Sequence, residues 1–378
     1  MNFSFYKTLL TVVSLSLSWM AQAQYKLSDD KATAATVKLY ENLAKAQKKG
    51  YFIGHQDDLA YGVYWKYQEG RSDVKDIVKD YPAVYGWELG DLELGKPANL
   101  DGVPFDKMKQ YIREGYERGG IITISWHANN PITGKNAWDA SNTSIKNILP
   151  GGEHHSVFVG YLDKIAAFLS DLKGNNGEEI PVIWRPFHEH TGGWFWWGAK
   201  SASDEEYKEL FRFSADYLRI QKGLHNLIMS YNTSTEFSTP EEFLARYPGD
   251  QYADMLSFDA YQRGNADQGE KFARQLDVLL TAMNKAADQH SKIPAIGEIG
   301  YNQIPDHRWF SHILLPILDK HTFSYVLFWR NAGFKPGNNE VEYYLPFKGH
   351  PSEKDFIKFY QNKKTLFEKE ASKLKLYK

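Results

Sequence analysis

Eight short strand-like runs recur along this chain, at 51–55, 83–87, 121–126, 182–186, 227–231, 255–259, 295–298 and 325–329. Helical patterns lie between most of them, at 105–118, 156–172, 203–221 and 269–290. In the second of these, Phe158, Leu162, Ile165, Ala166, Leu169 and Leu172 recur at helical spacing. Strands that alternate with helices need a parallel sheet with helices packed on it. Eight such units over roughly 350 residues argue for an α/β fold of the (β/α)8, or TIM, barrel type as one domain. In that architecture the loops that follow the strands build the functional face, and the longest stretch here, 129–155, follows the third strand.

Composition narrows the partners. The formal net charge is −2 over 378 residues, which argues against nucleic acid or an anionic membrane as the binding surface. The aromatic fraction of 15% includes 11 Trp and 24 Tyr, several of them in glycine-rich stretches that cannot bury them all. Flat rings exposed in this way suit carbohydrate. At the N-terminus, Lys7, the apolar stretch 9–20 and Ala21-Gln22-Ala23 read as a secretory signal at 1–23, followed by a catalytic domain at 24–378. That stretch is too short to stay as a membrane anchor, and no other approaches spanning length. There is no cysteine, so neither disulfides nor a cysteine-linked lipid are expected, and a large core must stabilise the chain. A soluble, exported monomer is the expectation, periplasmic if the source has two membranes and secreted otherwise.

Two glutamates stand at or near the ends of apolar runs: Glu189 after Trp184-Arg185-Pro186-Phe187-His188, and Glu298 in Ile296-Gly297-Glu298-Ile299. A carboxylate buried there without a task would be costly. In an eight-stranded barrel the two fall in the slots of strands four and seven, facing each other across the mouth. A facing pair of carboxyl groups is what glycoside hydrolysis requires. No metal or cofactor is expected: the zinc-protease spacing suggested by His188-Glu189 needs a second histidine at 192, which is Gly192.

The segment from Arg185 to Glu189, followed by Gly192-Gly193-Trp194-Phe195-Trp196-Trp197-Gly198, resembles glycoside hydrolase family 26 β-mannanases, and the resemblance runs from about residue 51 to residue 347. It implies a retaining enzyme with Glu189 as acid/base and Glu298 as nucleophile, acting on mannan-type polysaccharide or oligosaccharide. His188 before the acid is a mark of this family. Asp259 and Tyr261, in Ser257-Phe258-Asp259-Ala260-Tyr261, match an acidic partner and a tyrosine that hydrogen-bonds the nucleophile. Arg185 belongs to the same supporting set. His127, in Ser125-Trp126-His127, matches a histidine that contacts the sugar at the cleavage site. Trp329 matches the platform under that sugar, and Trp194 the aromatic on the leaving-group side. Trp126, Trp197 and His55 complete the expected substrate contacts, Trp197 and His55 each balanced against a packing role. Sister activities on mixed-linkage β-glucan or β-1,3-xylan, and a non-catalytic polysaccharide-binding barrel, are the alternatives.

Overall fold

The computed structural model describes residues 25–141, 144–334 and 340–378. The signal-peptide reading at 1–23 lies outside these residues. Eight parallel strands pair in sequence order: β1 Tyr51–Gln56, β2 Val84–Glu88, β3 Ile121–Trp126, β4 Val182–Pro186, β5 Leu227–Thr233, β6 Met255–Gln262, β7 Ile293–Tyr301 and β8 Tyr325–Phe328. The ring closes where β8 pairs with β1, Phe52 opposite Tyr325 through His55 opposite Phe328. Helix α1 (Ala34–Ala46) precedes β1. Helices α2 (Asp73–Val78), α3 (Phe105–Glu117), α4 (His155–Ser170), α5 (Asp204–Asp216), α6 (Pro240–Phe243), α7 (Gly269–His290), α8 (Leu315–Leu318) and α9 (Glu353–Tyr360) follow β1 to β8 in turn, and α10 (Glu368–Leu374) ends the chain.

The strand residues are nearly all buried because both faces of the sheet are covered. Alternation then decides what each side chain meets. Phe52, Val84, Ile121, Ile183, Ile228, Met255, Ile293 and Tyr325 share one cluster with Leu39, Tyr40 and Leu43 of α1, so this parity fills the barrel and α1 closes its floor. The other parity, including Ile53, Trp87, Ile124, Trp184, Met229, Leu256 and Ile296, joins Met108, Leu162, Leu210 and Leu276 of the surrounding helices. Above the apolar floor the inward positions become polar: Glu88, Ser125, Arg185, Asn232, Asp259 and Glu298.

Local signals fix the helix starts. Ser203 and Glu206 form a reciprocal capping box at the start of α5, and Thr239 with Glu242 does the same for α6, where Pro240 occupies the first turn. The pattern read as one helix over 203–221 is α5 followed by a π-type turn at Tyr217–Gln221. Among the described residues no helix is long and apolar enough to cross a membrane.

Candidate active site

Breaks in regular geometry place both carboxylates. In β7, Ile293 and Ala295 point into the barrel, so strict alternation would send Gly297 inward and Glu298 outward. The β6–β7 register shifts here: Phe258 pairs with Ile296 and Asp259 with Glu298. The bulge hands the inward position to Glu298. Residue 297 must be glycine, because a Cβ would lie 2.6 Å from Asp259 Oδ1 and closer still to Asn232 Oδ1. In β4 the strand ends at Pro186, and Phe187 and Glu189 both take left-handed backbone, with φ of 51° and 52°. Such conformations cost about 1–3 kcal/mol each and persist only where surroundings enforce them. Here Trp197 donates to His188 O at 2.8 Å, Trp196 to Ala128 O at 2.9 Å, and the Gly192 amide to Glu189 O at 3.0 Å.

The two carboxyl groups have opposite surroundings. Glu298 is 3% exposed and held at both oxygens, Oε1 by Arg185 Nη2 at 2.8 Å and Oε2 by the Tyr261 hydroxyl at 2.6 Å. These donors fix its direction. Asp259 accepts from Asn232 Nδ2 at 2.7 Å and from Arg185 Nη1 at 3.4 Å, so one guanidinium spans two acidic groups. Burial opposes the charge on Arg185, but Asp259 and Glu298 outweigh it and keep it protonated. The Glu189 carboxyl is pushed up to about 7, first by burial and then by the Glu298 charge, against the Trp194 N–H that reaches its Oε2 at 2.7 Å. It therefore holds its proton near neutrality.

A second network flanks them. Glu88 accepts from the amides of Gly90 and His127, from the Ser125 hydroxyl and from His127 Nδ1, all within 2.6–2.8 Å. Burial raises its pKa, yet these partners bring it below the ordinary carboxylate value. Burial works against protonated His127 too, but the Glu88 charge lifts its pKa above the usual imidazole value. His127 Nε2 lies 3.2 Å from His188 Nε2. His188 is driven well below its usual value by burial and then by the neighbouring His127 and Arg185 charges, so it is neutral.

A cleft of about 620 Å³ opens over these groups, and Glu189, Glu298, His188, His127, Tyr261, Asp259, Trp194 and Trp329 all line it. Arg185 lies behind Glu298. Three expected substrate contacts are elsewhere. Trp126 is fully buried with its N–H on Glu93, because residues 122, 124 and 126 of β3 face the helices. His55 has the outward parity of β1, is fully buried, and pairs with Asp58 at 2.7 Å. Trp197 is fully buried and stacks on Phe195 at 4.5 Å, so it packs the loop and presents no face to the cleft.

The cleft also uses residues that the sequence reading had not singled out. Trp138 of the 129–155 loop is 49% exposed and stacks on His127 at 5.2 Å. A tryptophan in a polar loop was the available signal. Phe195, Tyr344, Arg263, Glu236 and Gln275 are also among the wall residues. His188, Asp259 and Glu298 offer ligand atoms within 4.8 Å of one another, but the Arg185 guanidinium already supplies the positive charge there.

Comparison with known proteins places the fold in a family. The model for glycosyl hydrolase family 26 matches residues 28–312. A mannan endo-1,4-β-mannosidase of Bifidobacterium adolescentis is 33% identical over 359 residues, covering 90% of this chain and 35% of that protein. The chain thus spans about a third of that relative, and 54% of a Thermothelomyces thermophilus relative with the same name. Among solved structures, a family 26 β-mannanase from Bacteroides ovatus superposes with a TM-score of 0.87 at 43% identity, covering 92% of this chain and 98% of that one. The catalytic domain of a Bacillus sp. JAMB-750 family 26 endo-β-1,4-mannanase gives 0.84 at 34% identity, covering 93% and 96%.

Proposed function

The chain belongs to glycosyl hydrolase family 26, and on that premise we propose that it hydrolyses β-1,4-mannosidic bonds in mannans, glucomannans, galactomannans or their oligosaccharides with retention of configuration. One observation carries the reading: two carboxyl groups face one cleft, Glu298 held by Arg185 and Tyr261, Glu189 raised to about 7. Such a split assigns the two roles. Glu189 protonates the glycosidic oxygen while Glu298 attacks the anomeric carbon and the bond to the leaving sugar breaks. The leaving sugar departs as an alcohol, and the retained sugar is esterified to Glu298. Glu189, now ionised, takes a proton from water, whose oxygen displaces Glu298 and regenerates both groups. Trp329 supplies a flat face to the sugar being cleaved, and Trp194 serves the leaving-group side.

The mannan preference is supported by the names of the relatives, and the exchange itself by the geometry. A screen on mannan, lichenan and β-1,3-xylan tests the first, with fastest turnover expected on mannan. Proton NMR of the first product tests the second: the β-anomer is expected, and an initial α-anomer would overturn the assignment. The N-terminal signal-like stretch supports export, to the periplasm in a two-membrane bacterium, where imported manno-oligosaccharides would be the working substrate. Cell fractionation tests this, and recovery in the medium would favour secretion. A monomer is proposed, tested by light scattering.

A further inference from the structure

The segment between Glu189 and α5 folds back on itself beside the cleft. Ala199 N reaches Gly192 O at 2.8 Å, and Ala202 N reaches Gly198 O at 2.9 Å. Its tip carries Trp194, whose N–H meets the Glu189 carboxyl. From the opposite side, after α6, the side chain of Arg246 enters this segment and is 2% exposed. Its Nη1 donates to the carbonyls of His190 and Trp197, and its Nη2 donates to those of Ala202 at 2.9 Å and Ser203 at 3.1 Å. Its plane lies over the Tyr207 ring at 4.6 Å. Nε comes 3.3 Å from Asp204, whose side chain is 59% exposed and neutralises it weakly.

A buried guanidinium is costly unless its donors are used. The carbonyls that use these donors come from three separated points, 190, 197 and 202–203, and all belong to the loop that carries the acid. The first belongs to the residue directly after Glu189. The His190 ring packs at a tilt against Tyr207 at 4.0 Å and Tyr231 at 4.7 Å with neither nitrogen hydrogen-bonded, so hydrogen bonding grips this residue through its backbone. A planar fork can tie three points at once, and a lysine ammonium on a single stem cannot reproduce that.

We infer that Arg246 is a positioning residue for proton donation: it locks the 190–204 segment so that Glu189 keeps its left-handed backbone and Trp194 keeps its hydrogen bond to the acid. This rests on Glu189 as the acid proposed above. It differs from a general packing role because the nucleophile side, Arg185, Tyr261 and Glu298, shares no contact with Arg246 among those described.

The test uses Arg246→Lys in the full chain. A displaced acid loop should lower kcat on mannotetraose by about 100-fold, the scale of a 1 Å misplacement. The glycosylation step on 2,4-dinitrophenyl β-mannobioside, whose leaving group needs little protonation, should stay within about threefold of wild type. The alkaline limb of kcat/KM should also move to higher pH, because the lost Trp194 bond had favoured the Glu189 anion. Adding guanidinium ion to Arg246→Ala should restore part of the mannotetraose rate. Equal losses on both substrates with an unmoved pH limb, or no loss on either, would overturn the proposal. If the variants do not fold, hydrogen exchange on the wild type decides: the Ala199 and Ala202 amides should exchange as slowly as the β4 amides, and free-loop rates would refute the lock. Failure of wild-type enzyme to cut mannotetraose at all would instead refute the proposed function.

Discussion

Gly297→Ala probes the bulge that turns Glu298 inward. The added methyl would sit 2.6 Å from Asp259 Oδ1 and inside contact distance of Asn232 Oδ1, where ordinary contacts begin near 3.4 Å. Both neighbours are fully buried and bonded to each other at 2.7 Å, so neither can swing to solvent. Relief requires β7 to move by close to 1 Å or the Asn232–Asp259 bond to break. Overpacking costs about 1–3 kcal/mol and leaving a buried hydrogen-bonding group without its partner about 1–3 kcal/mol, so about 2–6 kcal/mol of stability is expected to go when both occur. For a chain of this length that corresponds to a drop of roughly 3–8 °C in Tm by thermal circular dichroism. Moving the nucleophile by this distance should reduce kcat on mannotetraose by about 100-fold, with KM changing less. A variant within about 2 °C and twofold of wild type, outside the ranges those costs imply, would refute the claim that glycine is required for the inward turn of Glu298.

Further outcomes follow from the same geometry. Because Glu189 must be protonated to donate and its carboxyl is raised to about 7, kcat/KM should fall as pH rises through about 7; a limb near pH 4.5, its ordinary value, would contradict the assigned environment. Tyr261→Phe removes the 2.6 Å bond to the nucleophile and should lower kcat by about 10–100-fold, the equivalent of about 1.5–3 kcal/mol, with Tm little changed. His55→Ala leaves Asp58 buried without its ring partner, so it should lower stability by about 3 kcal/mol or more while kcat/KM on mannotetraose stays at the wild-type value; a selective kinetic loss would return His55 to the substrate.

Much of this was legible in the sequence, and the misses have physical causes. The eight strands announced themselves as mainly apolar runs, since a parallel sheet covered on both faces keeps polar positions few and mostly on the inward side. The same continuity hides parity. In Ile121-Ile122-Thr123-Ile124-Ser125-Trp126 only the two small polar residues Thr123 and Ser125 mark the inward parity, and the strand-end positions of Trp126 and His55 suggest the cleft although both point to the helices. Glu189 and Glu298 were legible because a carboxylate at a strand end needs a reason. How they get there was not. The left-handed backbone at Phe187 and Glu189 has no local signature, and Gly297 inside a strand hinted at a bulge without fixing its register. Trp138, Tyr344 and Arg263 reach the cleft from long loops, where neither spacing nor periodicity says which side chain turns inward. Arg246 is further removed, since its hydrogen bonds go to backbone carbonyls, which leave no trace in side-chain patterns.

The central claim is that Glu298 forms a covalent bond to the sugar while Glu189 handles the proton. The most direct test is to incubate the protein with a 2-deoxy-2-fluoro-β-mannobiosyl fluoride, which accumulates the glycosyl-enzyme, and then to map the labelled peptide by mass spectrometry. The account predicts one fluoroglycosyl group per chain, on the peptide containing Ile296-Gly297-Glu298-Ile299, with activity lost in step with labelling. A label on the Glu189 peptide, or full inactivation without any label, would contradict it.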